Sequence, residues 1–388
     1  MPRPFHKLLL CSGISFSCLL ACDSAEKPAS DKAAATNKQP EAKEVQKAAD
    51  PKPAPAGVAV DVEPLAGESH FKNLRQLSFG GENAEAYYAF DESQLIFQST
   101  RDGNKCDQIY RMSIPEVGQA PEIHQVSSGK GRTTCAYWLP DGKRVLYAST
   151  HAAADDCLPP PDRSHGYAWK LYPEFDIYSA KPDGSDIQVL TKSDGYDAEA
   201  TISPTGDRIV FTSTRDGDPE IYTMALDGSD VKRLTTTRGY DGGPFFSPDG
   251  KHIIYRANHP EGKEELEKYE AIQKQHLVFP TRLELFVMDA DGQNQRQITD
   301  NGKANFAPFF HPDGKRIIFS SNVNAKMGRN FDLYIIGLDG KGLEQLTFNP
   351  TFDGFPMFSR DGKHLVFASN RNNAEKGDTN IFLAEWKD

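Results

Sequence analysis

The feature that most constrains the fold of this 388-residue chain is a short element that recurs along it. In FFSPDGKHIIYRA, starting at Phe245, two apolar residues precede a Pro-Asp-Gly turn, and a second β-rich run follows. Proline presets φ and glycine supplies a positive φ, so this motif predicts a β-hairpin. Further copies start at Trp138, Ile202, Phe310 and Phe358, with a degenerate copy at Ala89.

A second element follows most of these hairpins and completes the repeat. It consists of an Ile-Tyr type strand, an Asp-Gly turn and a strand ending in Leu-Thr, as in DPEIYTMALDGSDVKRLT at 218–235. Four strands per unit at a period of roughly 45 residues, with no strong helix between them, are typical of β-propeller blades. The sequence therefore predicts an all-β, six-bladed β-propeller. The expected blades span 81–131, 132–193, 194–237, 238–301, 302–348 and 349–388.

Closure of the ring is expected to use the N-terminal side of the propeller. The sixth blade lacks an outer strand because the chain ends at Asp388. LRQLSFGGEN at 74–83 matches the outer-strand segment LEQLTFNPTFDG at 343–354, so it is predicted to supply the missing strand. Such closure removes the exposed edges that an open sheet would leave.

The N-terminus carries targeting features. Basic residues precede an apolar run that ends in Leu-Leu-Ala-Cys, which predicts a signal peptide over 1–21. The small residue before Cys22 resembles a bacterial lipobox, which implies cleavage there and acylation of Cys22. An ordinary signal peptide or a short uncleaved anchor is the alternative. Residues 22–66 are rich in Ala, Lys, Glu and Pro, so we expect a lipidated flexible linker before a propeller over 67–388.

Charge and hydropathy bear on the partners and the location. The formal net charge is −11, whereas binding to nucleic acid needs a basic face. No segment after the signal region is long and apolar enough to predict a membrane span. We therefore expect that the protein binds no nucleic acid. Its lipid is expected to hold it in the cell envelope, on the periplasmic face or the cell surface. We expect it to be a monomer.

The repeats resemble the Pro-Asp-containing, WD-like repeats of the TolB-type six-bladed propeller family, over about residues 71–388. TolB is a periplasmic protein of the Tol–Pal envelope system, so the resemblance implies envelope proteins as partners, Tol–Pal-like ones included. The α/β domain that precedes the propeller in TolB is not matched here, and the lipidated linker stands in its place.

The expected function is that of a lipid-anchored envelope scaffold or transport accessory that binds other proteins. A glycan- or peptidoglycan-binding propeller is one alternative, and a metal-dependent propeller lyase or hydrolase is another. The sequence contains no Gly-x-Ser-x-Gly or His-Glu-x-x-His motif, so no catalytic residue is assigned and no cofactor or metal is expected.

Aligning the repeats on their Pro-Asp-Gly turns yields two candidate rings of polar residues. One lies in the links between blades and the other at the ends of the second strands. Together they would form a channel mouth that binds a charged ligand, whereas Asp–Arg pairs that tie neighbouring blades together are the alternative. The first ring comprises Asp197, Asp241, Asn305 and Asp353, and the second comprises Arg101, His151, Arg215, His259 and Arg371.

Two long insertions on the face of the blade links suggest a binding surface. The insertion at 257–283 contains a predicted helix over 264–276, whose apolar stripe either packs on the propeller as a cap or binds a partner. The insertion at 151–176 combines aromatic and acidic residues with three prolines that stiffen it. Its candidate peptide- or glycan-binding residues are His165, Tyr167 and Trp169.

Three cysteines remain within the predicted propeller. In an oxidising envelope compartment a disulfide is the default, and three thiols allow one bridge and one free cysteine. Cys106–Cys135 is the first choice because it would join adjacent blades, and Cys135–Cys157 is the alternative. A metal site of Cys157, His151, His165 and a carboxylate would match no strong zinc pattern.

Overall fold

The computed structural model of the protein describes residues 57–162, 166–326 and 330–388. The predicted signal peptide over 1–21, the predicted lipidation site Cys22 and most of the predicted linker lie outside these residues. His165, a predicted loop-binding residue, lies outside them as well.

The protein forms a six-bladed β-propeller in which each blade is an antiparallel sheet, as the repeat predicts. Strands are numbered in sequence order, and the first strand of each blade is the innermost. Blade 1 comprises β3 (Glu82–Tyr88), β4 (Gln94–Thr100), β5 (Gln108–Ser113) and β6 (Ile123–Gln125). Blade 2 comprises β7 (Thr133–Trp138), β8 (Val145–Ser149), β10 (Asp176–Ala180) and β11 (Gln188–Val189). Blade 3 comprises β12 (Asp197–Ile202), β13 (Arg208–Ser213), β14 (Glu220–Ala225) and β15 (Lys232–Arg233).

The next two blades repeat this order. Blade 4 comprises β16 (Tyr240–Phe246), β17 (His252–Asn258), β19 (Glu284–Asp289) and β20 (Arg296–Gln297). Blade 5 comprises β21 (Asn305–Phe310), β22 (Arg316–Ser321), β23 (Asp332–Gly337) and β24 (Glu344–Gln345).

Blade 6 is completed from the N-terminal side, which confirms the predicted closure. It comprises β25 (Asp353–Phe358), β26 (His364–Ser369), β27 (Asn380–Trp386), β2 (Phe71–Gln76) and β1 (Val60–Asp61). Strand β2 pairs antiparallel with β27, a few residues before the predicted segment 74–83. The linker predicted to reach residue 66 ends earlier, because β1 adds a fifth strand and the fully buried Ala59 bonds to the backbone of Gln119.

An aromatic pair packs across the second and third strands of every blade. Their ring centroids are 5.7–6.3 Å apart, and the rings are buried or partly buried. Such pairs stabilise a fold by about 0.5–1.5 kcal/mol each beyond the burial of their area. The pairs are Phe97–Tyr110, Tyr147–Tyr178, Phe211–Tyr222, Tyr255–Phe286, Phe319–Tyr334 and Phe367–Phe382.

Each innermost strand carries a β-bulge at the same repeat position, and this bulge determines what faces the central channel. The register between the first and second strands shifts by one residue at that point in all six blades. The bulged residue has a left-handed φ of +48° to +61°, and a bulge of this kind re-aims its side chain. The six bulge residues are Glu85, Cys135, Glu199, Gly243, Ala307 and Phe355.

An aromatic plug fills the channel two residues further along these strands. Tyr87, Tyr137, Phe245 and Phe309 contact one another with centroid distances of 5.5–6.2 Å. The plug lies toward the turn face, which carries the Pro-Asp-Gly and Asp-Gly turns. The opposite face carries the links between blades and the connections between second and third strands, and we call it the loop face.

The two long insertions meet on the loop face. Helix α1 (Gly262–Gln273) confirms the predicted helix, although it begins and ends slightly earlier. Strand β9 (Trp169–Lys170) of the blade 2 insertion pairs antiparallel with β18 (Leu277–Val278) of the blade 4 insertion. We call residues 157–162 and 166–172, together with β18, the strap. The Tyr172 hydroxyl donates to the Pro159 carbonyl at 2.6 Å. This hydrogen bond joins segments 157–162 and 166–172 of the strap.

Candidate functional site

A charged cluster lies in the channel between the plug and the strap. It consists of the bulge residues Glu85, Cys135 and Glu199, together with Arg256 from the second strand of blade 4. The Arg256 guanidinium donates to the Glu199 carboxylate and, at 2.9 Å, to the Tyr240 hydroxyl. We call these four residues the channel cluster.

Two glycines give Arg256 room to reach across the channel. A Cβ atom on Gly243 would lie 2.0 Å from Nη1 of Arg256, and one on Gly242 would lie 2.3 Å from the Tyr240 hydroxyl. The Gly243 backbone N–H also donates to Oε2 of Glu199 at 2.8 Å. The Gly-Gly pair in blade 4 thus replaces a channel-facing side chain with a guanidinium from the neighbouring strand.

Burial sets the protonation of the other two groups in the cluster. It raises the pKa of Glu85 to about 7, against the opposing effect of a hydrogen bond with Cys135, and the nearby charge of Glu199 raises it further. Burial also raises the pKa of the Cys135 thiol well above its usual range. Because a protonated thiol is a weak nucleophile, Cys135 has the chemistry of a buried structural cysteine.

The strap closes the loop-face end of the channel. The Trp169 ring lies 5.0 Å from the Arg256 guanidinium and contacts Phe306 edge-on, with centroids 6.4 Å apart. Of the predicted loop-binding residues, Trp169 therefore packs over the channel cluster. Tyr167 is 58% exposed and lies on the outer side of the insertion.

The aspartates predicted at the channel mouth are fully buried and lie in pairs inside single blades. Each joins the start of a first strand to a residue just beyond the second strand, so the pairs do not tie neighbouring blades together. The net contribution of such buried pairs to stability is small, because the cost of desolvating both charges offsets their attraction. They are Asp197–Arg215 (3.0 Å), Asp241–His259 (2.9 Å) and Asp353–Arg371 (2.8 Å).

The other members of the two predicted rings have separate surroundings. The Asn305 side chain donates to the Leu283 carbonyl at 2.7 Å. The His151 ring contacts Ser149 Oγ at 2.8 Å and the Tyr178 ring at 4.3 Å between centroids. The guanidinium of Arg101 lies 3.7 Å from Asp102, because blade 1 has Asn83 where blades 3, 4 and 6 have the paired aspartate. The ligand-binding role of these rings stays a prediction.

The disulfide joins Cys106 to Cys157, with Cα atoms 6.0 Å apart. The predicted pair Cys106–Cys135 is therefore wrong, and so is the alternative Cys135–Cys157. Cys135 is free because its bulge turns it into the channel, whereas the other two lie in loop-face connections. The bridge ties the strap to blade 1.

An open cleft of about 540 Å³ lies on the loop face between α1 and blade 3. Arg238 closes its side by pairing with Asp218 at 3.1 Å and Glu270 at 3.6 Å. The Tyr269 hydroxyl of α1 donates to the same Asp218 at 2.5 Å. These contacts hold the helix as a fixed wall, and the partly buried Tyr269 packs against a core cluster. No residue of the helix is buried, so the capping role of its apolar stripe stays a prediction.

Sequence reasoning missed the channel cluster. The signal was the alignment of first strands, where Glu85 and Glu199 occupy one repeat position and blade 4 has Gly-Gly instead. Across the described ranges, no group of three or more His, Cys, Asp and Glu side chains is placed to hold a metal ion. No helix among the described residues is both long and apolar enough to cross a membrane.

Comparison with known proteins identifies one matching family and several structures with a similar fold. The family model of the TolB β-propeller domain matches residues 169–282 and 284–386. Among solved structures, a protein identified as TolB from Agrobacterium tumefaciens is 19% identical with a TM-score of 0.50, covering 79% of this protein and 91% of that one. TolB from Acinetobacter baumannii is 21% identical with a TM-score of 0.49, covering 80% and 66%.

A third similar structure is an oligogalacturonate lyase from Vibrio parahaemolyticus, 12% identical with a TM-score of 0.48, covering 85% and 98%. None of the curated proteins matches the sequence. At these identities the structural likeness shows the fold alone.

Proposed function

Because this protein belongs to the TolB β-propeller domain family, we propose that it is a lipid-anchored cell-envelope protein whose propeller binds other proteins. It acts as a scaffold or a transport accessory, and its partners are envelope proteins, Tol–Pal-like ones included. The anchor is the acylated Cys22, which places the propeller at the periplasmic face or the cell surface.

The observation that carries this proposal is the pre-assembled loop face. The insertions of blades 2 and 4 are joined by the β9–β18 pairing, bridged to blade 1 by the Cys106–Cys157 disulfide and fixed to blade 3 through Tyr269. A surface that is rigid before binding loses less conformational entropy when a partner docks, which favours affinity. Among the described residues, the turn face has connections of at most nine residues and no strand pairing between insertions.

The closed channel also directs binding to the outer surface. The plug occupies its turn-face end, and Trp169 covers its loop-face end. Two further aromatic side chains near the blade links, Tyr196 and Tyr240, are buried and do not offer a surface on which a glycan could stack. No observation on the described residues favours the glycan-binding alternative or the enzyme alternative over protein binding.

The lipid anchor is tested by Cys22→Ser. We expect the wild-type protein to fractionate with membranes and to carry an acylated N-terminal peptide in mass spectra. The variant should be released into the soluble fraction. An unmodified N-terminus in the membrane-bound wild type would contradict the anchor.

Protein binding is tested by crosslinking a tagged protein in intact cells and identifying what is captured. The loop-face variant combines Glu264→Lys with Glu267→Lys, both on the exposed side of α1. The matched turn-face variant combines Lys143→Glu with Lys315→Glu. We expect a discrete partner that the loop-face variant loses and the turn-face variant keeps. Equal capture by all three proteins, or no specific capture, would contradict the proposal.

A further inference from the structure

The cleft between α1 and blade 3 has the dimensions of a ligand site and walls that are already fixed. Its volume of about 540 Å³ falls within the range of about 300–1,000 Å³ that is usual for binding pockets. One wall is the C-terminal half of α1, and the other is the edge of blade 3 around Arg215 and Arg238. Because Tyr269 and Arg238 both contact Asp218, the two walls are joined behind the cleft.

Three lining groups lack partners within the described part of the protein. Oε1 of Gln273 is buried without a hydrogen bond, Nζ of Lys274 has no ion pair, and the carboxylate of Asp194 has no hydrogen bond or ion pair. A buried acceptor left unsatisfied costs free energy, and an N–H donor from a ligand would remove that cost. The wall therefore calls for N–H donors to Gln273 and Asp194 and for a group that binds the Lys274 ammonium.

The charge of Lys274 favours a carboxylate for that second group, whereas Asp194 in the same lining favours an N–H donor. Arg215 is neutralised by Asp197, and Arg238 faces two carboxylates, those of Asp218 and Glu270. The Arg238 side chain nevertheless remains 44% exposed, and Lys274 is exposed with no counter-ion among the described residues. A carboxylate near Lys274 would form charge-assisted hydrogen bonds without displacing an existing pair.

We propose that this cleft binds a short peptide segment of a partner protein, with peptide N–H groups bonded to Gln273 and Asp194 and a carboxylate bonded to Lys274. The inference rests on the proposed function and names the site at which it acts. A peptide supplies both required groups at close spacing, and the open side of the cleft lets the rest of the partner lie outside. The carboxylate comes either from an Asp or Glu side chain or from the partner's own C-terminus.

Ligand-observed NMR titration of the intact mature protein tests the proposal with three probes. These are acetyl-Ala-Asp-Ala-Glu-Ala-amide, acetyl-penta-alanine with a free C-terminal carboxylate, and acetyl-penta-alanine amide. We expect at least one carboxylate peptide to bind and the amide not to bind. Binding of the first alone identifies a side-chain carboxylate, and binding of the second alone identifies a terminal carboxylate. Absence of binding by both, or equal binding of the amide, overturns the proposal.

Charge reversal on one helix locates the binding. Lys274→Glu should weaken binding at least tenfold, whereas Lys268→Glu, on the outer side of the same helix, should change it less than twofold. Equal weakening by both variants would show that the peptide is attracted to the helix by its overall charge, and it would contradict a specific site in the cleft. Gln273→Leu, which removes the unpartnered acceptor, should weaken binding without altering its salt dependence.

A photo-crosslinking residue in cells separates this site from the proposed function. Placed at Gln273, it should capture the partner, and placed at Tyr167 it serves as the comparison on the same face. Capture from Tyr167 but never from Gln273 would leave the protein-binding function standing and overturn the cleft. Capture from neither position would contradict both.

Discussion

At the scale of single residues, the channel cluster shows how one backbone feature decides which side chains meet. The left-handed φ of each bulge turns one residue per blade into the channel, and the identity of that residue sets the local chemistry. Blades 1 and 3 contribute carboxylates, and blade 4 contributes space for a guanidinium. The result is one ion pair beside a carboxyl group whose neutral form is stabilised by burial.

Glu85 should make stability depend on pH. Its pKa is raised to about 7 in the native state but is near 4.5 when unfolded, so the native state holds the extra proton between these values. The free energy of unfolding should therefore fall as pH rises from 4.5 to 7. Glu85→Gln removes this pH-dependent loss of stability. The loss amounts to roughly 3 kcal/mol of unfolding free energy at pH 8 and is small at pH 4.5.

Urea denaturation at pH 5 and pH 8 measures that effect, with the exposed Glu122→Gln as the control. Glu85→Gln should lie closer to the wild type at pH 5 and be clearly more stable at pH 8. The same pH dependence in wild type and Glu85→Gln would contradict the assigned protonation.

Gly243→Ala should expel the Arg256 guanidinium, because the new Cβ atom would lie 2.0 Å from Nη1. Breaking a buried ion pair costs about 3–5 kcal/mol. Gly142→Ala is the matched control, since Gly142 has a similar φ of +65° but open space around its Cβ position. Urea denaturation should show a much larger loss for Gly243→Ala, and equal losses would show that backbone strain alone is responsible.

For the two predicted rings of polar residues, the sequence predicts which positions carry Asp, His and Arg, but it does not predict that the aspartates are buried. The Asp, His and Arg positions of the two rings were found from the repeat, because they recur at fixed distances from the Pro-Asp-Gly turns. Their pairing within blades, as in Asp197–Arg215, depends on where the second strand ends relative to the first. The pairing register of the first and second strands depends on the bulge, and no residue pattern in the sequence predicts a bulge at Glu85 or Cys135.

At the scale of secondary-structure elements, the strap joins segments that are far apart in sequence. Strands β9 and β18 contribute only two residues each, so backbone pairing alone would hold them weakly. The disulfide, the Tyr172–Pro159 hydrogen bond and the Trp169–Arg256 contact add to that pairing. The hairpins of the blades were predictable from turn residues, whereas no local pattern predicts a two-residue pairing between insertions.

Removing the disulfide should loosen the strap and expose Cys135. In Cys106→Ser with Cys157→Ser, alkylation of Cys135 by N-ethylmaleimide should be at least about tenfold faster than in wild type, because local opening controls access. Peptide mass spectrometry gives the rate at Cys135. In Lys130→Ala, which removes only the exposed Lys130–Asp155 pair, Cys135 should be alkylated at the wild-type rate. Equal rates in all three proteins would show that the strap does not control access.

At the scale of the whole molecule, the N-terminal segment closes the ring. Strand β2 completes blade 6, and Glu68 just before it is buried against Arg371, with both guanidinium Nη atoms donating to its carboxylate at 2.9–3.0 Å. The matching of 74–83 to 343–354 made this closure predictable. The fifth strand β1 was not predictable, because its two residues follow a long low-complexity segment.

Glu68→Ala should destabilise the closed propeller, because it leaves Arg371 buried with Asp353 as its one remaining carboxylate among the described residues. We expect a loss of about 3 kcal/mol in the free energy of unfolding, as for other broken buried pairs. Glu116→Ala removes an exposed pair with Arg75 from the same region and should cost less than about 1 kcal/mol. Chemical denaturation compares the two, and similar small losses would show that Glu68 does not hold the closure.

The most direct test of the central claim, that the loop face binds partner proteins, is a two-face photo-crosslinking scan in living cells. The crosslinking residue replaces Tyr167 or Glu267 on the loop face, and Lys143 or Lys315 on the turn face. The account predicts discrete protein adducts from the loop-face positions and none from the turn-face positions. Adducts confined to the turn face, or none from the loop face, would contradict it.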